Sequence, residues 1–311
     1  MTNYLSQNSI PKYNLKVSVI IPTYKRSEFL IRAIESIINQ TYSNIEIIVV
    51  DDNGIGLIQK ETHHIVSKFP SVKLVTYKKN KGACFARNAG VQNATGQILM
   101  FLDDDDFYLP NKVKCQIEVF LSNPHIDVCL CGMKRIDQTG SEIISSENFP
   151  RGLNLKEYIL DGNCFTTMIA IKKDVFDEVN GFDEIDRFQD KFFMYKLFKN
   201  NKKVELLSEQ LFVFVDHNNE RISNINYRKV EKAYTKLYDF EKQNKSIFSK
   251  QEFETLTKIH WLDMSRNRTS AIALERLKGI KYLLKSKTIF KNYKLFFRLL
   301  FTDKYCEFNK R

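Results

Sequence analysis

The residues with the clearest capacity for chemistry are four consecutive carboxylates, Asp103 to Asp106. They directly follow an apolar segment, residues 98–102, that has the composition of a buried strand. Carboxylates this close repel one another unless positive charge lies among them, so the run predicts a divalent cation and a phosphate-bearing ligand. The alternative is an acidic turn that caps a helix starting near Pro110, because Asp is favoured at helix N-termini.

The elements that must position this run alternate between strand and helix. Apolar periodicity predicts, in chain order, strand 17–21, helix 27–40, strand 45–50, helix 55–69, strand 72–77, helix 83–93 and strand 97–102. Ser27 is placed as the N-cap of the first helix. The alternation predicts a largely parallel sheet covered on both faces, with ligands bound beyond the carboxyl ends of its strands. Three polar segments meet at those ends, namely residues 22–24, residues 51–52 and the acidic run.

The second half of the chain has a mixed pattern. It predicts strands at 128–133, 168–171, 203–207 and 211–215, and helices at 155–160 and 189–199. After Asn226 the sequence becomes helical and rich in lysine and aromatic residues. We therefore expect a first domain over residues 1–224 and a basic helical region over residues 225–311.

Composition limits the classes of protein. The chain has 311 residues, 43% of them hydrophobic, which is enough for a substantial core. Its six cysteines lack the paired spacing of a zinc site or a disulfide framework, and a reducing cytoplasm fits best. The N-terminus is polar and no stretch approaches the ~18 apolar residues that span a bilayer, so a soluble or peripheral protein is expected. Of the net charge of +11, residues 268–311 contribute +9, from 12 Lys and Arg and 3 Asp and Glu.

Four motifs occur together in this order: VSVIIPTY at 17–24, IVVDD at 48–52, GACFARNAG at 82–90 and FLDDDDFYLP at 101–110. Over roughly residues 15–222 they resemble a non-processive bacterial glycosyltransferase of family 2. The resemblance implies the α/β GT-A fold, a Rossmann-like mixed sheet flanked by helices, here with a C-terminal helical extension. It also implies a nucleotide-diphosphate sugar donor, with a UDP-sugar favoured.

The resemblance implies a donor site formed by Pro22, Thr23, Tyr24, Arg26, Asp52, Arg87, Asp103 and Asp104. In it, residues 22–24 line the base and ribose pocket, and Asp52 accepts a hydrogen bond from uracil N3–H. The fork of Arg87 suits a diphosphate. The alternatives are a core aromatic for Tyr24, a turn or helix cap for Asp52, and a surface salt bridge for Arg87.

The same resemblance implies a Mn²⁺ or Mg²⁺ cofactor held by an Asp-x-Asp motif. The run fits this motif in two registers, Asp103 with Asp105 or Asp104 with Asp106. Asp105 is favoured as the direct metal ligand, with Asp103 or Asp104 toward the ribose. His217, in a segment that resembles the family's late histidine segment, is a second candidate ligand, although a lone histidine is often structural.

Asp190 is the predicted general base. The segment from Gly181 to Asp190 resembles the family segment whose last carboxylate takes the proton of the acceptor hydroxyl. Gln189 departs from the more usual Glu-Asp pair, and the competing carboxylates are Asp183, Glu184 and Asp186. The resemblance implies an inverting transfer. The absence of the Gln-x-x-Arg-Trp motif of processive enzymes predicts that one sugar is added per encounter.

The resemblance also implies partners and a location. Family habit implies a glycan or lipid-linked acceptor in surface polysaccharide biosynthesis, and a cytoplasmic protein on the inner face of the membrane. The tail at 271–301 has the pattern of a basic amphipathic helix that binds an anionic membrane, although it could instead pack on protein. It lacks a recognisable nucleic-acid module. The alternative function is a non-catalytic nucleotide-sugar-binding or membrane-scaffold protein.

Overall fold

The structure is a computed structural model that describes residues 14–216 and 227–266. Its strands are β1 (Val17–Thr23), β2 (Ile45–Asp51), β3 (Val72–Thr76), β4 (Ile98–Phe101), β5 (Phe107–Tyr108), β6 (Val128–Asp137), β7 (Ile169–Lys172) and β8 (Val204–Asp216). Its helices are α1 (Ser27–Ile38), α2 (Leu57–Val66), α3 (Ala83–Gln92), α4 (Lys112–Ser122), α5 (Leu155–Asp161), α6 (Lys173–Glu178), α7 (Gln189–Lys199), α8 (Tyr227–Gln243) and α9 (Lys250–Arg266).

The strands form one mixed sheet in the order β3-β2-β1-β4-β7-β6-β8-β5. The first four strands in this order are parallel, β7 is antiparallel to both β4 and β6, and β6 pairs in parallel with β8. The mixed sheet flanked by helices is therefore confirmed. The predicted strands 203–207 and 211–215 are a single strand, β8, whose pairing with β6 shifts register around Gly132.

Burial on both faces explains the apolar strands. In β4 all four side chains are buried, and β1 is buried along nearly its whole length. Helix α3 packs closely on this layer at Gly90, where an added Cβ would lie 2.4 Å from the Ile20 side chain. The close approach fixes α3 against β1, which sets the position of Arg87 three residues earlier.

The order in which strands are added across the sheet reverses after β3, because β4 lies beside β1 on the side opposite β2. A ligand crevice is therefore expected beyond the carboxyl ends of β1 and β4, where the strand order reverses. The Ser27 prediction was wrong: Arg26 occupies the N-cap position and makes no side-chain cap bond, while Ser27 is buried inside the first turn.

The predicted helical character after Asn226 is confirmed by α8 and α9. The predicted domain boundary near residue 224 lies outside the described residues, as does the tail from residue 267 onward. Within the described ranges, we find no helix with both the length and the apolar character needed to cross a bilayer.

Candidate active site

The carboxylates of the acidic run alternate between two environments. Asp104 and Asp106 point into the protein, with 6% and 1% of their surface exposed. Asp104 accepts a hydrogen bond of 2.8 Å from the hydroxyl of Thr23, and Asp106 accepts one of 3.1 Å from the N–H of Val215. These two residues tie β4 to β1 and to β8. Burial, together with the neighbouring Asp105, raises the pKa of Asp104 to about 7.

Asp103 and Asp105 are the carboxylates that face the crevice. Their side chains are 36% and 18% exposed, and each is paired with an arginine. Asp103 accepts a hydrogen bond of 2.5 Å from Arg87, and Asp105 is bonded to Arg26. Of the two registers, the structure therefore favours Asp103 with Asp105. The alternative of a helix cap is wrong, because α4 begins at Lys112 with Asn111 as its N-cap.

The crevice has a donor set suited to a hard cation. Carboxylate oxygens of Asp103 and Asp105 are the ligands that Mn²⁺ and Mg²⁺ prefer, and the oxygens of a diphosphate can complete the shell. Within the described residues, no three side chains of His, Cys, Asp or Glu are placed so that they could together hold one metal ion. His217, the second predicted ligand, lies outside the described residues.

The end of β2 supplies two buried carboxylates with different partners. Asp52 caps the loop at 80–82, accepting 2.7 and 2.8 Å bonds from the N–H groups of Lys81 and Gly82 and a 2.8 Å bond from the Asn80 amide. One oxygen of Asp51 accepts from Asn53, but its other oxygen, Oδ2, is buried without a hydrogen-bond partner among the described residues. Sequence reasoning placed Asp51 at this edge of the sheet but assigned it no contact. The structure makes it a candidate acceptor beside Asp52.

Residues 22–24 form the end of β1 and the start of the loop that follows it. Thr23 is buried, whereas Pro22 and Tyr24 are half-buried, so Tyr24 is not part of the apolar core. The ammonium of Lys25 lies 5.0 Å from the centre of the Tyr24 ring. A partly exposed aromatic ring beside a cation offers a face on which a base can stack.

Arg87 joins the acidic run to the segment of the predicted base. Its guanidinium is buried and donates to Asp103 on one side and, at 2.6 Å, to the side-chain oxygen of Gln189 on the other. Gln189 is the first residue of α7 and Asp190 the second. The Arg87–Asp103 pair is therefore not a surface salt bridge. Arg87 connects the acidic run to the start of α7, the helix that contains Asp190.

Asp190 has the environment of a tuned carboxylate. Burial raises its pKa to about 6, against the opposing effects of the Lys191 N–H, which donates at 2.7 Å, and of Arg87. The three competing carboxylates differ. Asp183 is paired with Lys196 and Lys236, Asp186 is paired with Lys229 at 2.6 Å, and Glu184 is exposed.

Asn88 is a positioning residue that sequence reasoning missed. Its side chain both donates to the carbonyl of Phe182 at 2.7 Å and accepts from the N–H of Phe182 at 2.9 Å. Gly181 adopts φ +55°, and an added Cβ there would lie 2.6 Å from the Asn88 oxygen. Asn88 and Arg87 thus anchor the two ends of the segment from Gly181 to Asp190, which we call the base segment.

Comparison with known proteins identifies the family. The sequence model of glycosyl transferase family 2 matches residues 18–180, more than half of the chain. The chain belongs to this family. A relative from Haemophilus influenzae, described as an uncharacterized glycosyltransferase, is 30% identical over 201 residues, which are 64% of this chain and 78% of the relative. Asp190 and α8 lie beyond residues 18–180, the range matched by the family model.

Other relatives described in the same words match over smaller shares. One from Rickettsia bellii is 35% identical over 153 residues, covering 47% of this chain and 21% of the relative. One from Nostoc is 32% identical over 182 residues, covering 55% of this chain and 55% of the relative. The chain thus spans well under two thirds of the length of these relatives.

Solved structures support the fold. A crystal structure of Staphylococcus aureus TarS residues 1–349 in complex with UDP-GlcNAc superposes with a TM-score of 0.63 at 18% identity, covering 91% of this chain and 90% of that one. The mannosyltransferase PcManGT from Pyrobaculum calidifontis, in complex with GDP-Man and Mn²⁺, gives a TM-score of 0.57 at 15% identity, covering 93% and 86%. At these identities the likeness establishes the GT-A fold.

Proposed function

We propose that the chain is an inverting, metal-dependent glycosyltransferase that moves one sugar from a nucleotide-diphosphate donor to an acceptor hydroxyl. The observation that carries the proposal is the bridge made by Arg87. It links Asp103, on the donor side of the crevice, to the residue before Asp190. A carboxylate with a pKa raised to about 6 thus lies beside the predicted diphosphate position.

On the donor side, residues of β1 and β2 bind the nucleotide. Tyr24 stacks on the base, with Pro22 and Thr23 along the pocket, and a carboxylate of the Asp51 and Asp52 pair accepts from the base N–H. A uracil base presents one such N–H, so a UDP-sugar is the favoured donor. TarS, which shares the fold, was solved with UDP-GlcNAc, but PcManGT with GDP-Man, so the fold alone leaves the base open.

Arg26 and Arg87 bind the diphosphate, and the crevice-facing carboxylates act on the donor through a bound cation and through the ribose hydroxyls. Asp105 would be the direct protein ligand of a bound Mn²⁺ or Mg²⁺, and Asp103 would orient the ribose. When bound, such a cation neutralises the negative charge that develops on the leaving diphosphate. Arg26 pairs with Asp105 in this structure, and it can shift to a phosphate oxygen when that carboxylate takes up a cation.

Asp190 takes the proton from the acceptor hydroxyl as that oxygen attacks the anomeric carbon. Attack on the face opposite the diphosphate inverts the configuration. A pKa of about 6 leaves the carboxylate ionised at neutral pH yet more basic than an exposed Asp, which is the compromise that general-base catalysis requires. The uncharged side chain of Gln189 accepts a hydrogen bond from Arg87 and keeps the guanidinium near this segment.

The acceptor and the location complete the proposal. A glycan or lipid-linked precursor of a surface polysaccharide would bring its hydroxyl to Asp190. The basic tail would hold the protein on the anionic inner face of the cell membrane, in the cytoplasm. Both statements rest on the family and on the +9 charge of residues 268–311.

The test combines binding with turnover. Thermal shift with UDP-GlcNAc, UDP-glucose, UDP-galactose and GDP-mannose, each with and without Mn²⁺, should show a cation-dependent rise for the true donor, because a ligand of the native state stabilises it. Release of the nucleoside diphosphate should then be seen with that donor, the sugar passing to water or to an added acceptor alcohol, and should fall at least a hundredfold in D190N while the thermal shift persists. Binding without turnover in the wild type would instead favour the non-catalytic function. No shift with any donor refutes the proposal.

A further inference from the structure

The base segment is also contacted by α8. The ring centre of Tyr234 lies 4.8 Å from that of Phe188, with the rings at 67° to each other. Lys236 donates to Asp183 at 3.0 Å, and Lys229 donates to Asp186 at 2.6 Å. Three residues of one helix therefore touch three residues of the base segment.

Phe188 is the conformationally unusual residue of this segment. It adopts φ 61° and ψ 34°, the left-handed region that bulky side chains rarely occupy, at the N-cap position of α7. Gln189 and Asp190 follow it directly. The backbone angle at Phe188 therefore sets the direction in which α7 leaves and the place to which it brings Asp190. Such a conformation persists only where surrounding contacts enforce it.

The contacts with α8 differ in weight. The Lys229–Asp186 pair is exposed on both sides, and pairs of this kind contribute little. The Lys236–Asp183 pair is less exposed, and Asp183 also binds Lys196 of α7, so this carboxylate joins α7 and α8. The ring of Tyr234 is the contact that touches Phe188 itself, and edge-to-face aromatic pairs are directional.

We propose that Tyr234 is a positioning residue for the reaction, holding Phe188 in its left-handed conformation so that Asp190 reaches the acceptor hydroxyl. The inference rests on the proposed role of Asp190. It assigns a catalytic contribution to α8, a helix outside the residues matched by the family model. Lys236 supports the same contact through Asp183.

The test compares three variants of the full chain. Y234A removes the ring, and Y234F keeps it without the hydroxyl. Y238A is the matched control, because Tyr238 lies one turn further along α8 and stacks on His260 of α9 at 4.1 Å rather than on the base segment. Loss of an aromatic contact on α8 is common to Y234A and Y238A, so a difference between them reports on the base segment.

Two readouts are needed. Amide hydrogen exchange of the ligand-free proteins should show faster exchange over residues 183–190 in Y234A alone. In release of UDP with the donor and Mn²⁺, Y234A should lose at least tenfold in kcat with the donor KM within about twofold, and Y234F should retain wild-type values. Unchanged exchange in Y234A, or a kcat loss no greater than in Y238A, overturns the inference.

D190N in the same assay separates the two hypotheses. If D190N turns over normally, the proposed base is wrong, and the exchange readout still decides whether Tyr234 holds the segment. If D190N is inactive while Y234A is fully active, the positioning role fails and the proposed function stands.

Discussion

Replacing the proposed base should make the protein more stable as it makes it inactive. Asp190 is half-buried, and desolvation raises its pKa from 3.8 to about 6. An ionised carboxylate in that position is more costly in the folded than in the unfolded chain. D190N removes the charge but keeps an oxygen that can accept from the N–H of Lys191, which now donates at 2.7 Å.

The size of the effect follows from proton linkage. Because the folded pKa is the higher one, the native state is not penalised below pH 3.8, where the carboxyl is protonated in both states, and the penalty is complete above pH 6. At about 1.4 kcal/mol per pKa unit, a rise from 3.8 to about 6 corresponds to about 3 kcal/mol. D190N should therefore raise the free energy of unfolding by up to about 3 kcal/mol at pH 8, and by little at pH 4.

Urea unfolding of wild type and D190N at pH 4, 6 and 8 measures this difference. D174N is the matched control, because Asp174 also accepts from the N–H of the next residue, at 2.8 Å in the first turn of α6, but is exposed. It should show no comparable gain at pH 8. A D190N variant that is less stable than wild type at pH 8, or equally stabilised at pH 4 and pH 8, would refute the reasoning about Asp190.

Three further predictions concern the cation, the base and the tail. D105N should weaken Mn²⁺-dependent UDP binding at least tenfold in calorimetry. D127N is the control, because Asp127 is a carboxylate paired with Lys172. Unchanged affinity in D105N would indicate that Asp103 is the metal ligand instead. Q189E adds a negative charge beside Asp190, so the acid limb of the pH profile of kcat should move above pH 6, and a downward shift would contradict this. Truncation after residue 268 should preserve the thermal shift caused by the donor but abolish co-sedimentation with anionic vesicles at low salt. The reason is that each basic residue near such a surface contributes up to ~1 kcal/mol. Full-length protein left in the supernatant, or an unfolded truncated form, would argue that the tail packs on protein instead.

Three of the four parallel strands, β1, β2 and β4, could be predicted because they are buried on both faces. Burial of both faces requires a continuous apolar run, and β1, β2 and β4 each have one that ends at a polar residue. The same rule located the crevice, since polar residues after several such runs must meet at one edge of the sheet. Strand β5 was missed because two residues give no periodicity.

The sequence could not predict which carboxylates of the acidic run are buried and which face the crevice. Sequence shows four equal carboxylates, and only the packing of Asp104 on Thr23 and of Asp106 on Val215 separates them from the crevice-facing pair. The role of Asn88 was hidden for a similar reason, because its partner Phe182 is 94 positions away. The Ser27 prediction failed because the serine side chain is buried in the first turn, where it cannot cap.

The arginines of the crevice have a practical consequence for handling the protein. Arg26 and Arg87 already balance Asp105 and Asp103, so the carboxylates are not left to repel one another when no cation is bound. Folding therefore should not require metal. Chelators used during purification should remove a bound cation but leave the chain folded, with the arginines paired to the carboxylates. A purified sample without bound metal should therefore still bind a cation that is added later.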